Sequence, residues 1–294
     1  MRDRKTYSVV AVLLVVLVGM MAFSMGCGSS SSSSNASPTA PSGSAMDRAT
    51  KILGHAPTGL AKTIVDKGAI TVANDPNYAP QSSINPTTKV LEGFDVDTAK
   101  GMAQILGLNV IWKHPNWNSI PAGLQGGLYD VSIGSMTITP DRAKTVAFTD
   151  PYYYTTGQLF MKKGGTPIKT VADLAGKTVG VGAATTYWTF LKTKTKAVVK
   201  TYKTDLDAVP DLLNGNIDYW MTAGTTGNQA ILQGKQIEFT GPPIYYEDLA
   251  FATKLGEPDL IALLNYTIQT MHKNGALTAM SKHWYNGLDL TVKQ

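Results

Sequence analysis

The sequence predicts an α/β body built as two related lobes, on three observations. After about residue 50, short β-rich runs alternate with helices of apolar three- and four-residue spacing. One helix–glycine–strand unit recurs about 90 residues further on. Both copies of its strand run out into small and hydroxyl-bearing residues, the place where open α/β sheets bind ligands.

The elements ahead of that body form an address and a tether. Arg2, Arg4 and Lys5 precede an apolar run from Val9 to Phe23, the pattern of a secretory signal and short for a membrane span. Ser24-Met25-Gly26-Cys27 follows and resembles a bacterial lipoprotein signal, in which the cysteine becomes the lipidated N-terminus. Ser24 departs from the aliphatic residue usual at that place, and an uncleaved transmembrane anchor is the alternative reading. Both put the remaining chain outside the cytoplasm. Residues 28–49, rich in Ser and Pro, read as a flexible tether, so the domain plan is 1–27 signal and lipidated Cys27, 28–49 tether, then the body.

Composition bounds what the body does. With 43% hydrophobic residues among 294 the chain has mass for a core, which excludes a disordered protein. One cysteine excludes a disulfide scaffold. The net charge is +5, but Arg2, Asp3, Arg4 and Lys5 carry +2 of it, and 16% charged residues is sparse. The +3 left on the rest is too little and too scattered for nucleic-acid binding.

Ile70–Ala73 reads as a first strand. Gly93-Phe94-Asp95 opens a helix through Ala99, Met102, Ala103 and Leu106 that Gly107 closes, and Val110-Ile111-Trp112 is the next strand. The repeat pairs Ile120–Asp130 with Val209–Asp218. Each is a short helix, a Gly and a turn, with Asp introducing a buried strand, Val131–Ile133 in one copy and Tyr219–Met221 in the other.

The chemistry lies past the strand ends. Ser135-Met136-Thr137 leads to Thr139-Pro140-Asp141-Arg142, where Thr139 reads as an N-cap with Pro at the first helical position. Backbone N–H groups and a guanidinium fork make a carboxylate receptor, whereas the same spacing also fits a capped helix with a surface arginine. In the second lobe Thr178–Gly182 runs into Ala183-Ala184-Thr185-Thr186; Ala184 and Thr185 stand where a dinucleotide loop would place its third Gly, so a small anion fits better. The four histidines lack metal-ligand spacing, and no cofactor motif or catalytic motif is present, so no metal, no cofactor and no enzyme activity are expected.

From about Ile70 to Gly287 the chain resembles family 3 extracellular solute-binding proteins, the amino-acid-binding components of ABC importers. The resemblance rests on Leu91-Glu92-Gly93-Phe94-Asp95-Val96-Asp97, Asn116-Trp117-Asn118, Gly134 to Arg142, Phe148 to Tyr152, Val171 to Val181 and Lys273 to Leu277 with Lys282 to Tyr285. It implies a two-lobed periplasmic-binding-protein-like fold of type II, its lobes joined by two crossing strands near Tyr153–Leu159 and Tyr245–Phe251. Lobe 1 would be 50–154 with 247–294 and lobe 2 155–246. It implies a monomer that takes a small zwitterion or carboxylate, most naturally an amino acid or related amine, and delivers it to a membrane permease.

Carried over residue by residue, Arg142 would grip the ligand carboxylate with Thr137 from its own lobe and Thr186 and Thr185 from the other. Ser135 would meet the amine, Trp117 and Tyr78 would stack on the side chain, and Asp75 would meet a cationic end. Where many members place an Asp for the ammonium this chain has Ala223, and Glu247 is the candidate substitute. Gln81, in place of an aromatic residue, implies a more polar pocket; Trp188 and Trp220 could offer cation–π surface, although a buried core role is the preferred reading of both. Two other readings remain: a cyclohexadienyl-dehydratase-like enzyme on the same fold, whose catalytic Glu aligns with Trp188, and a sensory ligand-binding module.

Overall fold

The structure is a computed structural model that describes residues 43–293. The signal, Cys27 and most of the tether lie outside the described residues. The body begins earlier than the sequence predicts. Helix α1 (Ala45–Leu53) starts inside the stretch read as tether, because Ser44 and Asp47 form a reciprocal capping box and Ala49 is buried.

Along the chain follow α2 (Gly59–Lys67), β1 (Ala69–Ala73), the short strands β2 (Asn77–Tyr78), β3 (Ser82–Ile84) and β4 (Leu91–Glu92), α3 (Phe94–Leu106), β5 (Asn109–Lys113), α4 (Ile120–Gln125) and β6 (Val131–Thr137). The long strand β7 (Ala147–Lys162) leads to β8 (Thr178–Gly182), α5 (Thr186–Lys194), β9 (Val198–Tyr202), α6 (Val209–Asn214), β10 (Tyr219–Ala223) and α7 (Gly224–Leu232). A second long strand, β11 (Ile237–Thr253), precedes α8 (Pro258–Lys273) and α9 (Ala276–Trp284).

The principal sheet runs β5-β1-β6-β11-β7-β10-β8-β9. Its two ends are parallel, β5 with β1 and β6 on one side and β10 with β8 and β9 on the other. Between them β7 and β11 pair antiparallel along their length, with Tyr153 opposite Leu249 and Gly157 opposite Tyr245, so both expected crossing segments fall within these strands. A β-carbon on Gly157 would run into the Tyr245 ring, which is why the pair can pass so closely only with glycine there.

Each half has its own apolar interior. Ile70, Phe94, Met102, Val131, Ile133 and Leu264 belong to the first core. In the second half β10 presents alternate faces to two clusters: Tyr219 and Met221 pack with Val179 and Val181, while Trp220 packs with Phe160 and Leu212. The sequence repeat is real in space, since α4 leads into β6 and α6 into β10, and each strand lies at the heart of its half.

Candidate functional site

The cleft lies past the carboxyl ends of β1, β6 and β8. It is lined by Asp75, Tyr78, Trp117, Ser135, Thr137 and Arg142 from the first half and by Thr185 and Thr186 from the second. Eight of the nine ligand-binding residues expected from the sequence are therefore brought together; Glu247 is buried just behind them.

The cap contact expected at Thr139 is present, its Oγ1 accepting the Arg142 N–H at 3.2 Å, but the α-helix expected from Pro140 is only a three-residue 3-10 turn, Arg142–Lys144. This correction has a local cause: the chain must turn directly into β7, leaving no room for a second helical turn. The guanidinium spans the cleft. Its Nη1 donates to the Thr137 carbonyl at 3.0 Å and its Nη2 to the Ala184 carbonyl, in the other half, at 3.3 Å. The Trp117 ring lies 5.4 Å from the guanidinium carbon, and its Nε1 donates to the same Ala184 oxygen at 3.3 Å. Burial pulls the arginine's pKa down and Glu247 opposes that, leaving the group cationic in a poorly hydrated place.

Two residues beside the cleft hold left-handed backbone without being glycine: Ser135 (φ 59°) and Ala184 (φ 59°), one in each half. Such conformations cost free energy and gather at sites where a group must be aimed. At Ser135 the hydroxyl donates to Asp95 Oδ2 at 2.8 Å and accepts from Tyr153 at 2.7 Å, so its carbonyl is the group left for a ligand amine. Asp95 also accepts from Tyr152 at 2.5 Å, and its burial pushes its pKa up to about 7.

Thr185 caps α5, accepting the Trp188 N–H at 3.1 Å. The hydroxyls of Thr137 and Thr186 are used otherwise than expected. Both donate to Glu247 Oε1, at 2.8 and 2.5 Å, and Tyr187 donates to Oε2 at 2.6 Å. A hydroxyl has one proton to donate, so in this conformation neither threonine offers a donor to a ligand carboxylate. Glu247 likewise accepts from three hydroxyl donors and sits behind the cleft lining rather than in it.

Other expectations are corrected by placement. Gln81 is buried away from the cleft, donating to Thr225 at 2.7 Å. The tryptophans follow the preferred core reading instead: Trp220 is fully buried, and Trp188 packs against the second core with Lys192 over its ring at 4.4 Å, so neither lines the cleft. The position aligned with the dehydratase acid is thus filled by an indole turned to a lysine.

Sequence reasoning missed Asp205, Lys203, Asp95 and Tyr187, all of which line the cleft. Asp205 comes from the turn after β9 and reaches the ends of β8 and β10, accepting from the Gly182 N–H at 3.1 Å and Thr222 Oγ1 at 3.0 Å. Among the described residues no group of three or more His, Cys, Asp or Glu is placed to hold a metal ion, and no helix is long and apolar enough to cross a membrane.

Known proteins share this chain's design over most of its length. The model of bacterial extracellular solute-binding proteins, family 3, matches residues 70–287. The L-cystine-binding protein TcyJ of Escherichia coli K12 is 33% identical over 237 residues, covering 79% of this chain and 88% of that protein. The ABC transporter arginine-binding protein 1 of the same strain is 28% identical, covering 71% and 87%. An ancestral arginine-binding protein bound to arginine superposes with a TM-score of 0.70 at 29% identity, covering 74% and 98%. The extent of these matches, in chain order and on the same two-lobed architecture, makes this chain a member of the family 3 bacterial extracellular solute-binding proteins.

Proposed function

We propose that this protein captures an amino acid, or an amine close to one, in the cleft between its halves and presents it to the permease of an ABC importer. The observation that carries this reading is Arg142. Its guanidinium is held inside the cleft by one carbonyl from each half, and its remaining N–H groups are available to a carboxylate. The α5 N-terminus beside Thr185 and Thr186 supplies further donors of the right polarity. Trp117 and Tyr78 then pack on the ligand's side chain, and Asp75, at the partly open end, receives a cationic terminus.

We place the lobe boundaries within the paired crossing strands, with 50–154 and 247–294 forming lobe 1 and 155–246 lobe 2; α1 extends lobe 1 back to residue 45. Ligand capture would then be a bending of β7 and β11. The arginine- and cystine-binding relatives favour a ligand with a second polar or cationic end, which Asp75 suits. The working form in this reading is a monomer, lipidated at Cys27 and carried on the outer side of the cell membrane.

A thermal-shift screen of the twenty protein L-amino acids and L-cystine tests the reading. A ligand at a hundredfold excess over its dissociation constant stabilises the native state by about 2.7 kcal/mol, enough to move the melting temperature by several degrees. Incubation with prephenate or arogenate, followed for product, tests the enzyme alternative; turnover would replace the transport reading.

A further inference from the structure

Three carboxylates line the cleft, Asp75, Asp95 and Asp205, and they are not equivalent. Asp95 is closed off by Ser135 and Tyr152 and has no exposed surface. Asp75 is partly exposed and turns Oδ1 back on Asn77. Asp205 is buried yet faces the cleft, held by one neutral donor on each oxygen, the Gly182 N–H and the Thr222 hydroxyl.

No cationic side chain pairs with Asp205 among the described residues. Lys203 lines the same cleft without forming an ion pair to it. Two charged groups around it raise the cost of its charge, Glu247 on β11 and Asp75 on the segment after β1, while Tyr245 and Tyr78 near it are neutral phenols. Lys203 and Asp207 flank it on its own segment. Burial first, then Glu247 and Asp75, push its pKa up to about 7 against the opposing pull of Thr222 and Gly182. Ala223, the next residue after Thr222, brings only a methyl group, so at this end of β10 the acid comes from the neighbouring turn instead.

We propose that Asp205 receives the ligand's ammonium group, and that it gives up a proton to solvent as the ammonium–carboxylate pair forms. The proposal rests on the amino-acid reading of the cleft. A buried carboxyl without a cation stays protonated in the empty protein at mildly acid pH. An arriving ammonium favours the ionised form, so binding below neutrality couples to proton release and affinity rises with pH until the empty-state carboxyl is already ionised.

The test uses the amino acid that raises the melting temperature most in the screen of the twenty protein L-amino acids and L-cystine. Calorimetry at pH 6 and pH 8.5, each in two buffers of different ionisation enthalpy, counts the protons. The wild type is expected to release more than about half a proton per ligand at pH 6 and far fewer at pH 8.5, with affinity falling by up to about tenfold per pH unit on the acid side. Asp205→Asn should bind more than about 50-fold more weakly at pH 8.5 and lose the proton release at pH 6, while the empty variant melts no lower than wild type at pH 8 because a buried anion is gone. Thr222→Val keeps the carboxyl but removes a donor to its charged form, so the midpoint of the pH dependence should move upward. Undiminished binding by Asp205→Asn, or proton release that survives in it, overturns the proposal while leaving the amino-acid reading standing. Should Asp205→Asn not fold, an unmoved midpoint in Thr222→Val overturns it. A wild type that binds nothing in the screen overturns the amino-acid reading and this proposal with it.

Discussion

Thr186 Oγ1 donates to Glu247 Oε1 at 2.5 Å, joining the first residue of α5 to the long strand β11. Thr137, at the end of β6, donates to the same oxygen, so one buried carboxylate on a crossing strand ties together the ends of a strand and a helix from opposite halves. Glutamine at 247 keeps the shape but has one oxygen for three hydroxyl donors. Glu247→Gln is expected to lower stability by about 1–3 kcal/mol, read as a lower urea midpoint at unchanged slope. An unchanged midpoint would show that these hydroxyls are equally well served by water.

Asp95 and Asp205 make the empty protein less stable as pH rises. Both carboxyls are raised to about 7 in the native state, against roughly 3.9 when unfolded. Between those values the native chain holds more protons than the unfolded one, so stability falls with rising pH and levels off above about 7. The carboxylates held low, Asp211 among them, have finished titrating below this window. His272, lowered by burial, acts in the opposite sense near pH 6.5. Melting temperatures at pH 5 and pH 8 should therefore differ less in Asp205→Asn than in wild type; equal differences would mean that Asp205 is ionised throughout.

Gly227 tests the packing behind the second half. In an exposed helix, Gly→Ala usually gains up to about 1 kcal/mol. Here a β-carbon at 227, on α7, would enter the ring of Phe160 on β7, and both residues are buried. Overpacking of about 1–3 kcal/mol then outweighs helix propensity. Gly227→Ala is expected to be less stable than wild type by thermal unfolding, and a more stable variant would show that the Phe160 ring moves aside easily.

Much of this was legible in the residues themselves. The apolar spacing of Ala99, Met102 and Leu106 marks α3, and the repeat at Ile120 and Val209 marks the two halves, because both signals are local. The hydroxyls and arginine at the strand ends mark the cleft for the same reason. What was hidden depends on distant partners. Lys203-Thr204-Asp205 reads as a polar turn, and only Gly182 and Thr222 make Asp205 a buried acid. Gly241-Pro242-Pro243 reads as a break, yet β11 continues through it with a shift of register between Thr240 and Tyr245. Thr137 and Thr186 sit where spacing puts them, but their protons go to Glu247, over 60 residues from either.

Arg142 is the residue on which capture of the ligand's carboxylate depends. Calorimetric titration of the wild type and of Arg142→Ala with the amino acid selected by thermal shift tests it most directly. One ligand per chain is expected for the wild type, with a loss of several kcal/mol, more than about a hundredfold, in the variant as the ligand's carboxylate loses its charge-assisted partner. Equal affinity in the two proteins would place the carboxylate elsewhere and contradict the account.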